Sequence, residues 1–298
     1  MSRKTTLIGN MKAFARACGG AHLTHEARGN TISMFAAFAV EVGYTHMQQV
    51  ADIGVKHIRA YVEVRLAAGI SKRSLHNEMA HLRAILKRAG CFPAAWKTIL
   101  SNKSLGLSGT SRQGTKVALS VEEYEGVRAL ALVQGRPGMA ALVGLGFYLG
   151  LRANEAIHAR TDTLERWLRE LRANDTVEVL AGAKGGRSRI IHPVAVEAAI
   201  HMVEEALAVA KHQGGYLVLR ASGRAAGGLK EARSIYHGWA HRAGFEPHAA
   251  RYAFAQCQID GYIARGFAQR EAFIATARDL GHGDGRGRFI RSVYGRRS

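Results

Sequence analysis

Between Met139 and Leu151 the chain carries no charged side chain, and the next residue is Arg152. A run this apolar belongs in a core, yet it is too short to cross a bilayer. Whatever packs around it also surrounds the arginine at its end. A guanidinium brought that close to a core needs a carboxylate, a bound anion or both. Glu155 lies three residues on, the spacing at which two side chains share a helix face. An ordinary Arg152–Glu155 ion pair is therefore the simplest reading, and an anion site the more demanding one.

The rest of the pattern is mostly helical. Thr31 to Val42 is an apolar stretch suited to a buried helix, and Met47 to Ala68 is a second candidate, ended near Gly69. Ser71 to Ala89 is the clearest, because Leu75, Met79, Leu82 and Leu86 fall on one stripe, and Gly90 supplies a stop. From Ser101 to Ser120 the chain turns to Ser, Gly, Thr and Lys with no acidic residue, a composition expected of a basic linker. Ser120-Val-Glu-Glu123 reads as a capping box that opens a new domain. Thr176 to Ala181 and Arg187 to Ile191 read as short strands flanking Gly185-Gly186, a hairpin. Pro193 to Gln213 is a further helix, and the remainder is helical with glycine-rich joints.

Charge narrows the partner. There are 42 Lys and Arg against 23 Asp and Glu, a formal net charge of +19. Residues 1–117 carry 17 basic and 5 acidic side chains, while 118–298 carry 25 and 18. Such an excess favours a polyanion, because each neutralised phosphate releases counterions. Double-stranded DNA is the expected partner. Lys72, Arg73, Arg83, Lys87 and Arg88, left on the other faces of the 71–89 helix, are candidate DNA contacts, as are Lys103, Arg112, Lys116 and Arg187. A merely solvated face is the alternative reading of that helix. Neither a membrane span nor a signal-peptide layout is present, so a cytoplasmic protein is expected, nucleoid-associated when bound to DNA. Cys18, Cys91 and Cys257 are too few and too scattered for a disulfide framework or zinc knuckle.

Six residues in the second half suit phosphodiester chemistry: Arg152, Lys184, His248, Arg251, His282 and Tyr294. Two arginines can hold a phosphate, a lysine and two histidines can move protons, and a tyrosine can attack phosphorus. Lys184 falls in the hairpin turn, where most lysines are simply solvated. His248-Ala-Ala-Arg251 follows Pro247, which suits the first turn of a helix; His248 could instead cap it, with Arg251 paired to Glu246. His282 lies among glycines, with Asp284 either its partner or a competitor. Tyr294 has Arg286, Arg288, Arg291, Arg296 and Arg297 nearby, which favours a phenolate, although a packed tyrosine is the plainer reading. Walker A, His-Glu-x-x-His and paired Cys-x-x-Cys patterns are all missing, so no metal or nucleotide cofactor is expected.

Taken in order, Gly150-Leu-Arg-Ala-Asn-Glu155, Lys184 in its hairpin, His248-Ala-Ala-Arg251, Leu280-Gly-His282 and Tyr294 resemble the tyrosine recombinases, the phage integrase family. That resemblance implies a mainly α fold: a helical N-terminal core-binding domain at 29–104 and an α-rich catalytic domain at 118–298 with a small antiparallel β-sheet. Residues 1–28 would be an N-terminal extension and 105–117 a basic linker. It further implies attack by Tyr294 to give a 3′-phosphotyrosyl bond, with Arg152 and Arg251 on the phosphate and Lys184 as general acid. His248 would accept the tyrosine proton or bond the phosphate, and His282 would add a hydrogen bond. A homotetramer on paired DNA sites is implied, and an accessory DNA-bending protein is a further candidate partner. A type IB topoisomerase-like relaxing enzyme and a non-catalytic DNA-binding protein are the alternatives. The twelve-residue interval from His282 to Tyr294 departs from the family pattern, and only Gly295 to Ser298 follow the tyrosine. Subunit contacts through a longer tail are thus not expected.

Overall fold

The structure is a computed structural model that describes residues 3–92, 94–109, 117–182 and 188–295. Lys184, Arg187, Arg112 and Lys116 lie outside the described residues, as does the turn of the expected hairpin. The chain divides into two compact units, Met1–Ser111 and Arg112–Ser298.

The first unit is helical: α1 (Arg3–Ala17), α2 (His22–Glu41), α3 (Val55–Ala67) and α4 (Lys72–Arg88). The stripe expected on α4 is the core face, with Leu75, Met79, Leu82 and Leu86 fully enclosed. Ser71 caps that helix by accepting the Ser74 N–H at 3.1 Å. Glu78 is buried on the same helix because Tyr61 donates to it at 2.7 Å and Arg65 at 2.6 Å. Where one helix was expected from Met47 to Ala68, a 3-10 turn at Val50–Asp52 comes first, and α3 starts only at Val55. The Asp52 carboxylate draws the N–H groups of Gln48 and Gln49 to itself, both at 2.8 Å, which closes the turn and delays the helix. The core also reaches beyond 29–104. Leu7, Met11 and Ala15 of α1 enter it from one side of the sequence and Leu107 from the other.

In the second unit α6 (Pro137–Leu149) is the central helix, buried on nearly all faces. It packs against α5 (Val121–Val133), α9 (Val196–His212) and α11 (Pro247–Ala264). The capping box at Ser120 is present: Ser120 accepts the Glu123 N–H at 3.1 Å, and Glu123 accepts the Ser120 N–H at 2.8 Å. Between α6 and α9 come α7 (Ala153–His158), α8 (Thr161–Asn174), β1 (Val177–Val179) and β2 (Arg189–Ile191). The strands pair antiparallel in the register Val177↔Ile191 and Val179↔Arg189. They are shorter than expected, and α9 begins three residues after Pro193. The chain continues through α10 (Leu229–Arg242) and finishes with α12 (Gln269–Asp279) and α13 (Gly287–Val293) around α11. Among the described residues the fold is thus mainly α with one small antiparallel sheet.

Candidate active site

The site starts where α6 stops. Gly150 adopts φ 59° at the helix C-cap, a left-handed conformation, and a Cβ there would meet the Phe254 ring at 2.3 Å. The chain reverses at once, buries Leu151, and sets Arg152 as the N-cap of α7. Glu155 then binds Arg152 twice. Its Oε2 accepts the Arg152 backbone N–H and its Oε1 accepts from the guanidinium, each at 2.7 Å. The ion pair read from the sequence exists, and the other end of the same guanidinium donates to the Leu280 carbonyl at 3.1 Å.

From α11, Pro247 occupies the first turn, and His248 and Arg251 project from neighbouring turns. Arg251 is completely buried. It donates to the carbonyls of Gly150 and Leu280, and its Nε has no hydrogen-bond partner among the described residues. The Leu280 carbonyl therefore collects one arginine from the start of α7 and one from α11. Just beyond it, Gly281 (φ 65°) turns the chain so that the His282 N–H reaches the Ala277 carbonyl at 2.8 Å. Asp284 pairs with Arg278 at 2.7 Å. Tyr294 ends α13, its backbone N–H bonded to Ile290 at 2.8 Å. Its ring is buried against Tyr252 (centroids 4.4 Å apart), and its hydroxyl lies 3.4 Å from His282 Nε2.

Two further residues were not anticipated. Arg189 on β2 is buried, donates from both guanidinium NH2 groups to the Glu155 carboxylate, and donates from Nε to the Asp279 carbonyl at 2.9 Å. Asp279 is itself buried and accepts from Gln258 at 2.7 Å, Tyr262 at 2.8 Å and the His192 N–H at 3.1 Å. Alternation along β2 carried the signal for Arg189, since it shares the inward face with Ile191. The glycine beside this arginine is part of the packing: a Cβ on Gly281 would meet Arg189 Cδ at 2.7 Å, whereas one on Gly283 (φ 79°) meets nothing among the described residues. Both positions are left-handed, which costs any other residue about 1–2 kcal/mol. Gly281→Ala should therefore lower the melting temperature by more than Gly283→Ala, whose loss should be about 2–8 °C. Equal shifts in a thermal scan would mean that the Arg189 stem does not need the glycine.

Arg152, Arg189, His248, Arg251, His282 and Tyr294 line one open cleft of about 1090 Å³. Three guanidiniums surround the single carboxylate of Glu155, so the site keeps an excess of positive charge. Burial would raise the Glu155 pKa, but the Arg189 hydrogen bonds and charge override it and bring it to about 2. Burial, then repulsion by Arg152 and Arg189, lowers Arg251 to about 9, which leaves it charged at neutral pH. Burial, followed by Arg251, Arg152, Arg189 and His248, pushes His282 down to about 3, so its ring is neutral. An anion entering the cleft would meet two rigid guanidiniums, a neutral imidazole and a phenol.

Five of the six expected site residues are thus brought together, and Lys184 lies outside the described residues. Of the candidate DNA contacts, Lys72, Arg73, Lys87, Arg88 and Lys103 are exposed. Arg83 is half-buried and engaged within its own unit, donating to the Leu100 carbonyl at 2.8 Å and Asn102 Oδ1 at 2.7 Å.

Residues 106–257 match the family model described as Integrase, and residues 4–94 match the one described as Phage integrase, N-terminal. Among solved structures, a lambda integrase dimer bound to a COC′ core site is similar with a TM-score of 0.61 at 15% identity, over 98% of this chain and 77% of that one. The Tn1549 transposon integrase in complex with transposon right end DNA has a TM-score of 0.58 at 14% identity, over 93% and 91%. A lambda integrase tetramer bound to a Holliday junction also reaches 0.58, at 13% identity over 93% and 76%. At these identities the likeness is one of fold. No curated protein matches the sequence.

Proposed function

The chain belongs to the phage integrase family of tyrosine recombinases, and we propose that it cuts and rejoins duplex DNA at specific sites through a covalent bond between Tyr294 and a 3′ phosphate. The observation that carries this reading is the Tyr294 hydroxyl held 3.4 Å from His282 in the cleft that Arg152 and Arg251 line. A nucleophile, a neutral imidazole and fixed cationic donors are what phosphoryl transfer without a metal requires.

In the proposed reaction the Tyr294 oxygen attacks phosphorus and the 5′ oxygen leaves. Arg152 and Arg251 hold the non-bridging oxygens, and their value lies in rigidity. Arg251 is anchored to Gly150 and Leu280, and Arg152 to Glu155 and Leu280, so neither must reorganise as negative charge builds. Lys184 protonates the leaving 5′ oxygen. The phosphotyrosyl bond conserves the energy of the broken linkage, and a second 5′ hydroxyl can therefore reverse the step without ATP. Joining new partners needs two cleaved duplexes, hence several copies of this chain on paired sites.

The test is a covalent adduct. The full chain incubated with duplex fragments from around its own gene, and with nicked versions of them, should yield an SDS-resistant, protease-sensitive protein–DNA species. Peptide mapping should place the nucleotide on Tyr294. Tight binding of nicked fragments with no adduct at any pH would overturn the reading in favour of a DNA-binding protein without chemistry. Relaxed plasmid without recombinants would favour a topoisomerase-like activity.

A further inference from the structure

The half-buried His282 beside the buried Tyr294 bears on a step for which the family resemblance offers His248 as one candidate. We propose that His282, through Nε2, takes the Tyr294 proton, and that it becomes able to do so when a phosphodiester fills the pocket formed by Arg152, Arg189 and Arg251. This rests on the phosphotyrosyl reading above and names the proton acceptor within it.

The geometry carries the argument. His282 Nε2 is within hydrogen-bond reach of the Tyr294 hydroxyl, and both groups are held from several sides. The histidine backbone is fixed to Ala277, and its ring lies on Phe289 with centroids 4.8 Å apart. The tyrosine ring lies on Tyr252. With the ring proton on Nδ1, the Nε2 lone pair faces the phenol. His248, whose ring centroid is 5.5 Å from that of Tyr252, lines the same cleft and remains available to the phosphate.

The charged groups facing His282 explain the coupling. Arg152 comes from the start of α7, Arg189 from β2, and His248 and Arg251 from α11. Tyr294 comes from the end of α13, while Asp284 of the same loop is engaged by Arg278. Burial first, and then all four of these α7, β2 and α11 groups, disfavour a proton on His282, and in the free protein together they keep the imidazole a weak base. A phosphodiester brings negative charge to the arginines themselves. It offsets the repulsion at its source and strengthens the base at the moment the nucleophile must ionise.

The step balances. The phenol O–H breaks and its proton moves to Nε2; the phenolate bonds to phosphorus as the P–O5′ bond breaks, and Lys184 gives the leaving oxygen a proton. On rejoining, the attacking 5′ hydroxyl gives its proton back to Lys184, the P–O bond to Tyr294 breaks, and the imidazolium returns its proton to the tyrosine oxygen.

The experiment uses the full chain and a nicked duplex of the cleaved sequence, with sulfur in place of the bridging 5′ oxygen. Thiolate leaves without a proton, so the rate of adduct formation reports on the nucleophile alone. The wild-type rate should fall tenfold per pH unit below one inflection. In His282→Gln the amide can accept a hydrogen bond but not a proton. The rate should drop on the order of 10²–10⁴-fold and the inflection should vanish. His248→Gln should be slower yet keep the inflection. Imidazole added to His282→Ala should restore adduct formation, which a misfolded variant would not show. An inflection that survives in His282→Gln, its loss in His248→Gln, or no rescue by imidazole overturns the assignment alone. A wild-type chain that forms no adduct removes the phosphotyrosyl reading itself.

Discussion

Tyr294→Phe should abolish the covalent adduct while leaving the fold and DNA affinity nearly unchanged. The variant removes one oxygen from a ring whose packing against Tyr252, His282 and Phe289 is otherwise retained. The lost hydrogen bond is long, at 3.4 Å, and His282 keeps access to the cleft, so the stability change should stay within about 1 kcal/mol. Affinity for a duplex should move by no more than about threefold, which is under 1 kcal/mol. The loss of chemistry, in contrast, should be complete, because phenylalanine has no oxygen with which to attack phosphorus. Gel-shift and SDS-gel assays on one DNA fragment separate the two effects. Adduct formation by Tyr294→Phe would move the nucleophile elsewhere, and loss of binding would make Tyr294 a structural residue.

The contrast between what was legible and what was not follows sequence distance. Arg152, His248, Arg251, His282 and Tyr294 each carry a local signature, such as the end of an apolar run or a spacing of three on a helix, and ordering five such signatures identifies a site. Arg189 has only the alternation it shares with Ile191 on β2, which does not say what it meets. Its partner Glu155 is 34 residues away, and only the folded strand turns it inward. Asp279 is similar, since Gln258, Tyr262 and His192 approach it from two other elements. The Leu280 carbonyl, which lies 128 residues from Arg152 and 29 from Arg251 and joins the two, has no side-chain signal at all. Other omissions were pattern already present. Leu164, Trp167 and Leu171 stand at helical spacing and form the buried face of α8, and Leu7, Met11 and Ala15 do the same for α1. The break before α3 was hidden because it depends on one carboxylate, Asp52, capturing two backbone N–H groups.

The largest stability effect should come from Glu155, the only carboxylate that contacts the arginine cluster among the described residues. Its side chain is fully enclosed and accepts from Arg152 and Arg189, with Arg251 close enough to lower its pKa. Removing one partner of a buried pair leaves the other charges uncompensated, at a cost of about 3–5 kcal/mol. Glu155→Gln keeps the shape and removes the charge, so it should lower the melting temperature by about 6–20 °C for a unit of this size. The sign of the pH dependence follows from the direction of the shift. The folded carboxyl titrates near 2, below its ordinary 4.5, so its contribution is complete above 4.5 and is lost as pH falls from there towards 2. Denaturant unfolding of wild type and Glu155→Gln should therefore differ most at neutral pH and converge under acid. Phosphate added to the buffer should stabilise the variant more than the wild type, because the variant's three arginines have lost their counter-charge. Equal stability of the two proteins at pH 7 would mean that the guanidiniums relax into water, and that the rigidity ascribed to Arg152 and Arg251 does not depend on Glu155.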